Sequence, residues 1–154
     1  RYVLFNFHQR TSKTFKGDAI NGGFADIAVP GQNLQLYYLR EHPVNAPFHL
    51  WGGKRISEAW DGKKRKLTFE IQGPAGLQDT VFIGGAQPGF EKIRIGTKAA
   101  TFFFDPVQDL AYGTVTFTDK PLKITVFCSS DRINRLTEKA VVAGPLALRS
   151  GLDF

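Results

Sequence analysis

The feature that most constrains the fold is an alternation of apolar and polar residues between Leu67 and Cys128, broken at intervals by Gly, Pro and Asp. Successive side chains of a strand point to opposite faces, so a period of two indicates half-buried antiparallel strands. The copies are residues 67–72, 80–83, 92–95, 114–118 and 123–127. Strands that recur about every ten residues with turns between them predict an all-β fold, an antiparallel β-sandwich of jelly-roll type.

Two further segments complete the predicted architecture. Residues 2–9 carry bulky groups on both faces, which favours a central strand. Residues 131–140 place Ile133 and Leu136 at helical spacing behind a Ser130 or Asp131 cap, which predicts one short helix near the C-terminus. We interpret residues 1–154 as a single β-sandwich domain with that one helix.

Size and composition agree with one domain. The chain has 154 residues and one cysteine, Cys128, so it can bury a core but cannot form an internal disulfide or a cysteine-ligated metal cluster. The position of Cys128 in the alternation predicts a buried, unreactive thiol. No apolar run is long enough for a transmembrane helix, so no membrane span is expected. A chain that starts at Arg1 and contains no Met predicts a processed protein or a domain from a larger one.

The positive charge predicts affinity for anions. The formal net charge is +6, and four successive cations, residues 63–66, follow the Asp61–Gly62 hairpin signal. Only about half of four successive strand residues can face one partner, and no nucleic-acid-binding signature accompanies them. A nucleic-acid partner is therefore disfavoured. An anionic polysaccharide is a candidate, because Arg forms paired hydrogen bonds with carboxylates, and the alternative is that these cations form a solvated hairpin tip.

Residues 67–128, with a Gly-Pro-Ala-Gly turn at 73–76, resemble the β-sandwich accessory domains of secreted glycoside hydrolases and polysaccharide lyases. The resemblance implies an extracellular domain beside a catalytic module, with some members that bind carbohydrate and others that only pack against their neighbour. Calcium is the common structural ion of such sandwiches. Its candidate ligands are Asp18, Asn21 and Asp26, for which a solvated loop is the alternative, and no other cofactor is expected.

Sugar binding needs exposed aromatic faces beside hydrogen-bonding side chains. Residues 41–62 are the richest stretch in such groups and the one where the alternation fails, so we expect the function above all there. For the tryptophans, the alternative is that they fill the core or a corner. The candidate carbohydrate-binding residues are Trp51, Trp60, Tyr37, His49, Arg55 and Tyr112.

These observations predict a non-catalytic carbohydrate-binding or accessory module of an extracellular polysaccharide-degrading enzyme. Its expected partners are a polysaccharide and an adjacent catalytic domain. No Gly-x-Ser-x-Gly or His-Glu-x-x-His motif is present, so no catalytic residue is assigned. Two alternatives stay open: a small polysaccharide lyase or metal-dependent hydrolase that uses His42 and His49, and a structural or protein-interaction β-sandwich without a ligand.

Overall fold

The protein is described here from a computed structural model, which covers residues 2–6, 11–15, 37–41, 43, 45–85 and 88–141. These ranges contain thirteen strands and no helix, and so no helix that could cross a membrane. The strands are β1 (Tyr2–Asn6), β2 (Thr11–Phe15), β3 (Tyr37–Glu41), β4 (Phe48–Trp51), β5 (Lys54–Asp61), β6 (Lys66–Gln72), β7 (Gln78–Gly84), β8 (Phe90–Ile95), β9 (Lys98–Ala100), β10 (Phe103–Asp105), β11 (Leu110–Thr116), β12 (Leu122–Cys128) and β13 (Thr137–Glu138).

Two five-stranded sheets form the sandwich. The middle sheet has the order β13-β10-β11-β7-β4, and the outer sheet has the order β5-β6-β12-β8-β9. The third sheet, β2-β1-β3, is smaller and has β1 at its centre, as the bulky residues of this segment predict. All neighbouring strands are antiparallel except β10 and β13. The predicted all-β sandwich is confirmed.

The first core lies between the middle and outer sheets. In β6, Leu67, Phe69 and Ile71 are fully buried while the residues between them are partly exposed. They pack against Val81 and Ile83 of β7, together with residues of β8, β10, β11 and β12. Burying one such side chain contributes about 2 kcal/mol, so the alternation accounts for much of the stability of the fold.

The second core lies on the other face of the middle sheet, where the third sheet covers it. Val3 and Phe5 of β1 meet Phe48, Phe82 and Leu110 there. Strand β7 is therefore buried on both faces from Val81 onward. The prediction of a half-buried strand at residues 80–83 is wrong for this reason.

The predicted helix at residues 131–140 is also wrong. The segment forms a turn and then the short strand β13. Asp131 accepts hydrogen bonds from the backbone of Ile133 (3.1 Å) and from Arg135, so it caps a turn where a helix cap was expected. Leu136 packs against the first core, but Ile133 is 60% exposed, so the two apolar residues do not share a buried face.

Candidate functional site

The β5–β6 hairpin brings Trp60 to one end of the sandwich. The connection is a four-residue turn, residues 62–65, and the Asp61 carboxylate accepts hydrogen bonds from the backbone of Lys63 (3.1 Å) and Lys64 (3.0 Å). The bond from Lys64 is the main cause of the lowered pKa of Asp61. The hairpin that the Asp61–Gly62 signal predicts is confirmed, and the positive φ in its turn lies at Arg65 (+49°). The side chain of Asp61 thus sets the turn.

A cleft of about 420 Å³ opens beside this turn. We call it the Trp60 cleft. Its volume lies within the usual range of ligand pockets. The cleft gathers residues from four separate connections, those between β3 and β4, β5 and β6, β7 and β8, and β12 and β13. It is lined by Asn45, Trp60, Gly62, Arg65, Pro88 and Arg132.

The indole of Trp60 has two roles. Trp60 belongs to the edge strand β5 and lies opposite Leu67 of β6. Its side chain is half-buried and packs against the first core. The same side chain lines the cleft. A Cβ atom added at Gly62 would lie 3.4 Å from the indole Nε1, at van der Waals contact, so Gly62 lies directly beside the indole. Trp60 is therefore an aromatic wall with a fixed position.

Unusual backbone geometry is concentrated at this cleft. Four non-glycine residues in the described part of the chain have positive φ, and three of them, Asn45 (57°), Arg65 (49°) and Arg132 (63°), line the cleft. Such geometry costs on the order of 1 kcal/mol per residue and clusters at binding sites, where the surrounding structure enforces it. Gly89 contributes, because a Cβ there would lie 2.6 Å from the backbone carbon of Arg132. The cleft is held in shape at an energetic cost.

Arg65 is fixed at the base of this arrangement. Its Nη2 donates to the carbonyl of Pro88 (3.2 Å), and its own carbonyl accepts a hydrogen bond from the backbone of Cys128 (2.9 Å). The Arg65 Nε is buried and has no hydrogen-bond partner among the described residues. An unsatisfied buried donor costs about 1–3 kcal/mol, which the bond to Pro88 offsets only in part.

The cleft carries uncompensated positive charge. Over the described ranges, no carboxylate lies within ion-pair distance of Arg65 or Arg132. The acidic residues adjacent in sequence have other partners. Asp131 pairs with Arg135 (2.6 Å), which is the main reason that the pKa of Asp131 lies well below its usual range. Asp61 binds its own turn and lies 3.7 Å from the Lys64 ammonium.

Two of the predicted aromatics belong to the second core. The Trp51 ring lies 6.1 Å from Phe5 and 5.6 Å from Tyr38, between ring centroids. Tyr112 stacks on Phe82 at 6.0 Å, and its hydroxyl donates to a backbone carbonyl. Neither residue lines the Trp60 cleft, so the core alternative describes Trp51 better than the sugar-binding prediction does.

His49 must be removed from the predicted binding set. It is only 4% exposed, its ring lies 5.0 Å from Phe69, and its Nε2 makes a 2.9 Å hydrogen bond with the carbonyl of Gly52. Burial lowers its pKa to about 4, so the ring is neutral near pH 7. Arg55 is exposed but is paired with Glu58 (3.1 Å) and lies outside the cleft lining.

The other predicted residues divide into two groups. Tyr37 belongs to β3 of the third sheet. The calcium candidates Asp18, Asn21 and Asp26, and also His42, lie outside the described residues. Within the ranges that are described, no three His, Cys, Asp or Glu side chains are grouped so that they could hold a metal ion. The calcium site therefore stays a prediction.

Cys128 is buried, as its position in the alternation predicts. Its side chain belongs to the first core and is 6% exposed. Burial raises the pKa of the thiol to about 11, so it remains protonated near pH 7. An uncharged, enclosed thiol serves packing and is a poor nucleophile.

Of the residues that line the cleft, only Trp60 was a predicted binding residue. Trp60 was a candidate, and Arg65 was considered as part of the basic run. Asn45, Pro88 and Arg132 were not singled out, because they come from connections that only the strand order brings together. No local pattern in the sequence marks them.

Comparison with known proteins adds no relative. No family model, no curated protein and no solved structure matches this chain. The functional argument therefore rests on the cleft and its residues.

Proposed function

We propose that this protein is a non-catalytic carbohydrate-binding module and that the Trp60 cleft is its binding site. The supporting observation is the presence of one indole, two guanidinium groups and one amide around a single cleft, contributed by Trp60, Arg65, Arg132 and Asn45. The apolar face of a sugar ring packs on an aromatic side chain, and the planar donors of Arg and Asn bind its oxygen atoms.

The lining favours binding over catalysis. Proton transfer needs a group that gains or loses a proton near the working pH, whereas Arg remains charged and Trp, Asn, Gly and Pro do not titrate in that range. The described residues that line the cleft are all of these five types. The module would hold a polysaccharide near an adjacent catalytic domain and so raise its effective concentration there.

Substitution of Trp60 tests the proposal. Affinity electrophoresis and calorimetry over a panel of neutral and acidic polysaccharides should reveal binding by the unaltered protein. Trp60→Ala should weaken that binding about tenfold, since an aromatic contact contributes about 1 kcal/mol or somewhat more. Trp51→Phe, at the other tryptophan, is the matched control and should keep the affinity. Incubation with the same polysaccharides, with or without a chelator, should release no product.

Two results would overturn the proposal. One is that the folded protein binds no member of the panel. The other is that Trp60→Ala, shown to be folded by circular dichroism, binds as tightly as the unaltered protein. Because Trp60 also packs against the first core, Trp60→Phe provides a second variant that keeps more of the packing. It should show a smaller loss of affinity.

A further inference from the structure

We infer that the sugar unit bound in the Trp60 cleft carries a carboxylate, as a uronic acid does. This inference rests on the proposed function and names the substrate class of the same site. It follows from two features of the described residues: the charge balance of the cleft and the way in which Arg65 is held.

The charge balance favours an anionic ligand. Arg65 and Arg132 both line the cleft, and no carboxylate of the described chain pairs with either of them. The nearest acidic residues in sequence, Asp61 and Asp131, already accept hydrogen bonds within their own turns. Two uncompensated guanidinium groups in one concave site attract an anion, and a concave protein surface strengthens that attraction.

The geometry of Arg65 favours a ligand that can accept several hydrogen bonds. The backbone of Arg65 is fixed by the bond from Cys128, and Nη2 is fixed by the carbonyl of Pro88. A guanidinium that is already held in place loses little entropy on binding. A carboxylate offers two oxygen atoms in the plane that suits the guanidinium fork, and a hydroxyl offers only one.

Cations on the outer sheet lie away from the cleft and provide controls. Lys92 and Arg94 lie over the ring of Phe127, at 5.1 Å and 5.5 Å from its centroid, and both are exposed on β8. Lys92 also pairs with Glu91. Their charge is solvated or compensated, so Arg94 is a suitable control: its replacement removes the same charge as a change at Arg65, but away from the cleft.

The test compares acidic with neutral sugars. Calorimetry at about physiological salt would use tetramers of galacturonate, mannuronate and glucuronate, each beside its neutral hexose counterpart, with a sulfated galactan tetramer as the alternative anion. At least one uronate tetramer should bind ten or more times more tightly than its neutral counterpart. Arg65→Gln and Arg132→Gln should each reduce that preference about tenfold, while Arg94→Gln leaves it unchanged. Thermal melts confirm that each variant is folded.

Each other outcome counts against the inference in a distinct way. If neutral sugars bind as tightly as uronates, the inference is wrong and the proposed function stands. If no sugar binds, both are wrong. Preference for the sulfated tetramer overturns the assignment of a carboxylate. If polyglutamate binds as tightly as the uronates, or Arg94→Gln loses as much as Arg65→Gln, the attraction is a general effect of net charge and the inference fails.

Discussion

Two groups of arginines near strand β5 differ in whether the chain supplies their counter-charge. Beside the strand, Arg40 and Arg55 share the carboxylate of Glu58, at 2.9 Å and 3.1 Å. At its end, Arg65 and Arg132 line the Trp60 cleft without any carboxylate from the described residues. The first group has its counter-charge within the fold, and the second has none among the described residues. Charge compensation therefore separates this cluster from the cleft that we propose as the binding site.

The compensated cluster joins two sheets. Arg40 comes from β3 of the third sheet and forms two hydrogen bonds with Glu58 of the outer sheet. It also donates to the backbone carbonyl of His49 and lies over the ring of Phe48, 4.9 Å from the centroid. The side chains of Arg40 and Glu58 are only 13% and 15% exposed. Solvent screens such a pair less than a surface ion pair.

The largest effect is expected from acid, through His49 beside this cluster. Its pKa is about 4 in the folded protein against 6.5 for the free side chain, mainly because it is buried; the charged groups that face it are Glu58, Arg40 and Arg55. A lowered pKa means that the unfolded chain takes up the proton first as the pH falls. The contribution of neutral His49 to the free energy of unfolding is complete above pH 6.5. It decreases by about 3 kcal/mol as the pH is lowered to about 4.

Urea unfolding at pH 7 and pH 4 measures this loss, and His49→Gln isolates it from the titration of the carboxylates. The free energy of unfolding should fall by about 3 kcal/mol more in the unaltered protein than in the variant. Equal losses in the two proteins would show that His49 does not titrate with folding, and the description of this cluster as structural would weaken.

A smaller effect is expected from Glu58→Gln, which separates the two groups of arginines. Arg40 is then left without its carboxylate in a mostly buried position, and the free energy of unfolding should fall by about 2 kcal/mol. Glycan affinity should not change, because Glu58 is not part of the cleft lining. Glu91→Gln, which breaks an exposed pair with Lys92 (3.4 Å), should change stability by less than about 0.5 kcal/mol.

If Glu58→Gln and Glu91→Gln had the same effect on urea unfolding, the Arg40–Glu58 pair would be no more important for stability than an exposed ion pair. The contrast between the two groups of arginines would be lost if Glu58→Gln weakened glycan binding in calorimetry, because the compensated cluster would then take part in the site.

The alternation predicted the sandwich because it records burial on one face, and β6 and β12 follow it residue by residue. It could not show that a third sheet covers β7, since that contact joins residues distant in sequence. The same limit applies to the tryptophans: Trp51 lies under that sheet, while Trp60 lies at an edge of the sandwich. Before the fold was known, both were aromatic residues in an irregular stretch.

The Asp-based signals in the sequence, a helix cap at Asp131 and an Asp-Gly hairpin turn at residues 61 and 62, were imprecise for a different reason. An Asp side chain caps a turn as readily as it caps a helix, so Asp131 did not distinguish the two. At the β5–β6 connection, hydrogen bonds from Lys63 and Lys64 to Asp61 produce a longer turn than the Asp-Gly signal suggests. That longer turn is what places Arg65 at the cleft.

The central claim, that the uncompensated cleft is the binding site, is tested most directly by the emission of Trp60. The protein has two tryptophans, so Trp51→Phe leaves Trp60 as the single reporter. Titration with the uronate tetramer that binds best should give a saturable change in this emission, and the change should disappear when Arg65→Gln is added. Binding that calorimetry detects while the emission of Trp60 stays constant would contradict the account, because the ligand would then bind elsewhere.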